Sequence, residues 1–122
     1  MAKIADIKKM RELITMFFCV VDSAHLAHLN TRSFSAHEAL GDFYSFAAGF
    51  KDRLIEYMIG QGYVGQIVAN SIDANSDVIE EAQSAFDALY EFAEESDDCT
   101  LENMAADFKE AIGKLKYMLM LK

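Results

Sequence analysis

Apolar residues recur at three-then-four spacing in four separate windows of this chain, and no proline interrupts any of them. Ile4, Ile7, Arg11, Ile14, Phe18, Val21, His25 and His28 lie along one such stripe. They predict a first helix from about Ala5 to about Leu29, with both histidines on the inward stripe. Residues 30–34 read as a short turn. Ser35-Ala36-His37-Glu38 then has the S-x-x-E form of a capping box that starts a second helix ending near Gly60. Asp77 caps a third helix with the stripe Ile79, Ala82, Phe86, Leu89 and Ala93, ending around Glu95 to Ser96. Thr100 caps a fourth, with the stripe Leu101, Met104, Phe108, Ile112, Leu115 and Leu119.

A chain of 122 residues, 52% hydrophobic, is long enough to enclose one core and too short to divide comfortably into two. The expected architecture is an all-α four-helix bundle forming a single domain over residues 1–122. Short turns make antiparallel hairpins of helices one and two and of helices three and four. Residues 61–76 can stretch about 50 Å at roughly 3.3 Å per residue, the length of a bundle. They therefore permit a crossover that leaves helices two and three parallel, although an up-down bundle with a slack loop satisfies the same pattern.

The net charge of −9 argues against indiscriminate binding to a phosphate backbone, so no nucleic-acid partner is expected. Lys3, Lys8, Lys9 and Arg11 fit the solvated face of the first helix better than a nucleic-acid patch. Cys19 and Cys99 form neither a CxxC metal pair nor a disulfide framework, which suits a reducing compartment. No apolar stretch approaches the roughly twenty residues of a membrane span, and no secretory leader is evident. A cytoplasmic protein is expected, or one in the host cytoplasm if the source is viral. The phosphate-binding loop, hydrolase elbow and zinc-protease motifs are absent.

The three histidines all fall between residues 25 and 37, flanking the first turn. Taken singly, each reads most simply as a hydrogen-bonded packing residue. On the second helix, however, at about 100° per residue, His37, Gly41, Ser45, Ala48, Gly49, Asp52 and Glu56 share one sector about 120° wide. Leu40, Phe43, Ala47, Leu54 and Met58 form a separate core stripe beside it. His37 and Asp52 are separated by about 22 Å along a straight helix and cannot hold the same ion within one chain. Two copies of this helix crossing antiparallel on a twofold axis near Ser45 would bring His37 of one to Asp52 and Glu56 of the other. Gly41, Ser45, Ala48 and Gly49 are small enough to let the two backbones approach. Carboxylates one turn apart suit a hard cation such as Fe(II), and imidazole accommodates borderline metals such as zinc. Taken alone, the carboxylate pair is equally a solvated acidic face.

His28-Leu29-Asn30, Phe34, His37-Glu38, Asp52-Arg53-Leu54-Ile55-Glu56, Gly60-Gln61-Gly62 and the tail from Lys114 to Leu119 together resemble the starvation-induced DNA-protection (Dps) branch of the ferritin-like proteins. The resemblance covers most of the chain. It implies a ferritin-like bundle with a crossover between helices two and three, homo-oligomeric through the second helix, that binds and oxidises iron between subunits. His25 or His28, with His37, would supply nitrogen ligands, and Asp52 and Glu56 of the mate would supply oxygen. His25 stands at the family's customary spacing from His37, whereas His28 occupies the place in the His-Trp-Asn pattern, so either can serve. Leu29 replaces that tryptophan, and Gly41 stands where the family often has an acid. The expected activity is a ferroxidase that sequesters iron, and the alternative is a ferritin-like structural or interaction bundle with a reduced site.

Overall fold

The computed structural model describes residues 4–121, with side chains from residue 7 onward; Lys3 and the Ile4 side chain lie outside the described part. Four helices follow in order: α1 (Ile4–Asn30), α2 (Phe34–Gly60), α3 (Val78–Glu95) and α4 (Cys99–Leu119). There is no strand among the described residues. The chain is an all-α four-helix bundle.

Two helix starts differ from expectation. The N-cap of α2 is Ser33, whose Oγ accepts from Ala36 N–H at 3.3 Å, so Phe34 and Ser35 are already helical. The turn shrinks to residues 31–33. The N-cap of α4 is Asp98 rather than Thr100, because its carboxylate accepts from the backbone N–H groups of both Thr100 and Leu101. A carboxylate that takes two orphan donors beside the positive end of the helix dipole outcompetes the later hydroxyl. Asp77 caps α3 as expected, accepting from Glu80 N–H at 3.0 Å.

The helix ends are equally specific. Gly62, at φ 79°, closes α2 as Tyr63 N–H reaches back to the Met58 carbonyl at 2.9 Å. Asp97 repeats this geometry after α3 at φ 51°, with Asp98 N–H on the Ala93 carbonyl at 3.1 Å. Here a residue with a side chain occupies the left-handed region.

The core stripe predicted for α2 is buried throughout, joined by Ala39 and Phe50. That of α4 is buried except Leu119. On α3, Ala82, Leu89 and Ala93 are buried, while Val78, Ala85 and Phe92 take the inward places expected of Ile79 and Phe86. The face of α1 has turned. Met10, Leu13, Ile14, Phe17, Val20 and Ala24 are buried, Ile7 and Arg11 are exposed, and Phe18, Val21, His25 and His28 are half-buried. The predicted stripe thus follows the flank of the true one. Phe108 sits at the centre, with Phe17 and Phe50 ring centroids each 5.0 Å away.

Helix α1 packs on α2 and α3, and α4 packs on the same two. Lys9 near the start of α1 pairs with Glu95 at the end of α3 at 3.0 Å, and Arg53 of α2 pairs with Asp107 of α4 at 3.2 Å. Between α2 and α3 the chain lies against α1: Asn70 N–H donates to Thr15 Oγ1 at 2.8 Å, and Asn75 N–H to the buried Ser23 Oγ at 2.7 Å. The stretch of α1 from Ile7 to Asn30 is, by length and composition, apolar enough to cross a membrane, which corrects the expectation that nothing approaches that length. In the bundle its inward residues fill the core.

Candidate functional site

The tight α1–α2 turn sets His28, in the last turn of α1, beside His37, in the first turn of α2. Their rings stack with centroids 3.8 Å apart and planes 21° from parallel. Each ring bonds to the other residue's main chain: His28 Nδ1 lies 2.7 Å from the His37 carbonyl oxygen, and His37 Nδ1 lies 2.8 Å from the His28 carbonyl oxygen. A carbonyl only accepts, so both Nδ1 atoms carry the proton and donate. In the neutral rings, Nε2 is therefore the bare nitrogen on each. Backbone carbonyls fix metal-binding histidines in this same tautomer. The exchange also does structural work, because the His28 carbonyl is one of the orphan acceptors at the end of α1.

Gly41 makes the stack fit. A Cβ added there would stand 2.8 Å from His28 Cε1 and 3.0 Å from its Nδ1. The ring occupies the notch left by the missing side chain, one turn beyond His37 on α2.

The histidines expected on an inward stripe lie instead at its margin. His25 is half-buried on the seam with α2, its ring stacked on Tyr44 at 4.2 Å and 9°. His28 lies one turn past Ala24, where the core has ended. Of the two candidate histidines, His28 is the one in ring contact with His37. Farther down the seam, Lys51 Nζ sits 4.3 Å from the centre of the Phe18 ring and 3.8 Å from Asp52 Oδ1.

Asp52 and Glu56 are exposed one turn apart, Ser45 and Gly49 are exposed, and Gly41 and Ala48 are half-buried. This sector of α2 faces outward, clear of the core. Among the described residues, no three His, Cys, Asp or Glu side chains of one chain gather closely enough to hold a metal ion. The two halves of the sector do not meet within a single copy.

A second polar cluster escaped sequence reasoning. Tyr57 and Tyr63 hydroxyls donate to the Asp98 carboxylate at 2.9 and 2.7 Å, in addition to its two capping bonds. Burial alone would raise the Asp98 pKa, but the bonds from Tyr63, Leu101 N–H, Tyr57 and Thr100 N–H together hold it below the usual carboxylate value. Burial, then the neighbouring carboxylate, pushes Tyr63 up to about 12. The cluster ties the end of α2 to the start of α4. Its partners lie 35 and 41 positions apart, a spacing that no local motif encodes.

No curated protein and no solved structure matches this chain. Residues 28–119, from the first histidine of the stacked pair through the end of α4, match a family of unknown function (DUF5856), and the chain belongs to that family.

Proposed function

We propose that the chain is a ferritin-like, Dps-like iron-binding protein that oxidises and retains Fe(II) between two copies of α2. The observation that carries this reading is the histidine pair, with both Nδ1 atoms committed to main-chain carbonyls and both Nε2 atoms left as bare nitrogens. Asp52 and Glu56, exposed on the same outward sector of α2, supply the oxygen side from the partner copy. The small residues Gly41, Ser45, Ala48 and Gly49 separate the two ends of the sector and let antiparallel helices cross closely. Face-to-face ring planes keep the two Nε2 lone pairs from converging, so one ring must swing for both to reach the same ion. Fe(II) enters as substrate and gives one electron to dioxygen or a peroxide, and the carboxylates favour the ferric product by charge. Zinc competes for such a mixed nitrogen and oxygen site.

The ferritin-like arrangement, with residues 61–77 as a crossover and α2 parallel to α3, draws support from the hydrogen bonds that tie Asn70 and Asn75 to Thr15 and Ser23. The Lys9–Glu95 pair and the Tyr57–Asp98 bond fit the same topology, as they join the start of α1 to the end of α3 and the end of α2 to the start of α4. In the test, Fe(II) in air gives a saturable rise in ferric absorbance, and His37→Ala or Glu56→Ala lowers its initial rate by about tenfold or more. Either variant oxidising iron as fast as the parent defeats the proposal.

A structural or interaction bundle is the second reading, favoured by the mutual bonds of His28 and His37 to each other's main chain, which close the turn without any metal. On that reading the histidines simply clasp the turn, and the melting temperature ignores added Fe(II).

A further inference from the structure

Large apolar side chains stand out at the end of the bundle that carries the α1–α2 turn. Leu29 is 61% exposed, Phe34 76%, Tyr117 62% and Met120 76%. Ser35 Oγ donates to the Leu121 carbonyl at 3.2 Å, so the last described residues lie against the start of α2 and join these side chains to one pole. Residues 28–37 and 111–121 contain no Asp or Glu, in a chain of net charge −9, and Arg32 and Lys116 are exposed there. The pole is apolar and cationic on an otherwise acidic molecule. Large exposed apolar side chains gathered at one end of a bundle mark a contact site.

The complementary surface lies on the same chain. A groove of about 290 Å³ runs between α2 and α4, with Phe43, Phe46, Leu115 and Met118 on its floor. Asp42 and Glu110 line its edges alongside Lys114, and Asp107, already paired with Arg53, stands beside them. Its volume falls at the bottom of the range for small-molecule pockets and suits one or two large side chains. We infer that the Phe34 pole of one copy docks into the α2–α4 groove of a second copy, with apolar side chains seated on the floor and Arg32 and Lys116 facing the acidic edges. The contact is heterologous: each copy offers one pole and one groove, so assemblies grow as rings or open arrays beyond any twofold pair. A copy of the chain fits better than an anionic bilayer, because the acidic remainder of the molecule is repelled by such a surface. The inference stands independently of iron.

Two variants of the full chain test it: Phe34→Ser with Met120→Ser at the pole, and Asp42→Lys with Glu110→Lys at the groove. All four positions are exposed, and far-ultraviolet circular dichroism checks that both variants fold. The immobilised pole variant keeps its groove, so it captures the groove variant, whose pole is intact, but retains soluble pole variant only at the level that any α2 pairing gives. The expected ratio is about tenfold or more, the scale of losing a buried aromatic anchor. Capture should weaken in 1 M salt, where screening acts within about 3 Å. Equal capture of the two variants overturns the inference. Equal capture together with Phe34-dependent binding to vesicles of phosphatidylcholine and phosphatidylserine assigns the pole to a membrane surface instead.

Discussion

Gly41 has its effect through what it lacks. With a Cβ only 2.8 Å from His28 Cε1, Gly41→Ala must push the ring off its seat and strain or break the 2.7 Å bond to the His37 carbonyl. Losing that bond costs about 1 kcal/mol, opposed by the gain of up to about 1 kcal/mol from replacing glycine within a helix. In a His28→Ala background only the gain remains. Urea unfolding should therefore show Gly41→Ala stabilising by about 0.5–1 kcal/mol with His28 absent, and neutral or destabilising with it present. Equal effects in both backgrounds would remove Gly41 from its role. Asp98 and Tyr63 make a second prediction from single residues. The Asp98 pKa is lowered on folding, so its contribution is complete above the unfolded value of 3.8 and is lost as pH falls below it. The Tyr63 pKa is raised, so its contribution is complete below pH 10 and is lost as pH rises toward about 12. Stability measured against pH should fall at both limits, and Asp98→Asn should flatten the acid limb. Neither contact was legible in the sequence, because His28 reaches Gly41 across a turn and Asp98 collects partners from the far end of another helix.

At the scale of elements, periodicity found all four helices because each core stripe is long and uninterrupted by proline. It misplaced two caps by two residues, since Ser33 and Asp98 compete with equally plausible neighbours and only the backbone path decides between them. It also turned the face of α1. That helix is apolar over so much of its circumference that the stripe ending in the histidines looked as inward as the stripe through Phe17 and Val20. The α2 stripe was unambiguous because small and charged residues bound it on one side. The α3–α4 turn offers a test at this scale. Asp97 holds φ 51° without the freedom of glycine, so Asp97→Gly should raise stability by about 0.5–1 kcal/mol in chemical denaturation. A loss of stability would show that the Asp97 side chain contributes more than its backbone costs.

For the whole molecule, the sequence separated what one copy completes from what it leaves open. The core and the histidine clasp close within a single chain, whereas Asp52 and Glu56 face outward with no third metal-binding side chain beside them among the described residues. The roughly 22 Å between His37 and Asp52 follows from helix rise alone, so that much of the candidate site was legible before any coordinates. The pairing of His28 rather than His25 with His37 was not, since it depends on a turn of three residues that the misplaced cap obscured. A site shared between copies makes a demand that no site within a chain makes. Copies carrying His37→Ala and copies carrying Glu56→Ala should each be nearly inactive, yet a mixed pair holds one doubly damaged site and one intact site. The decisive measurement is the initial rate of Fe(II) oxidation by that mixed pair, assembled by refolding the two variants together and isolated with two tags. The account predicts recovery to about half the parental rate per pair; a mixed pair no more active than either variant alone contradicts it.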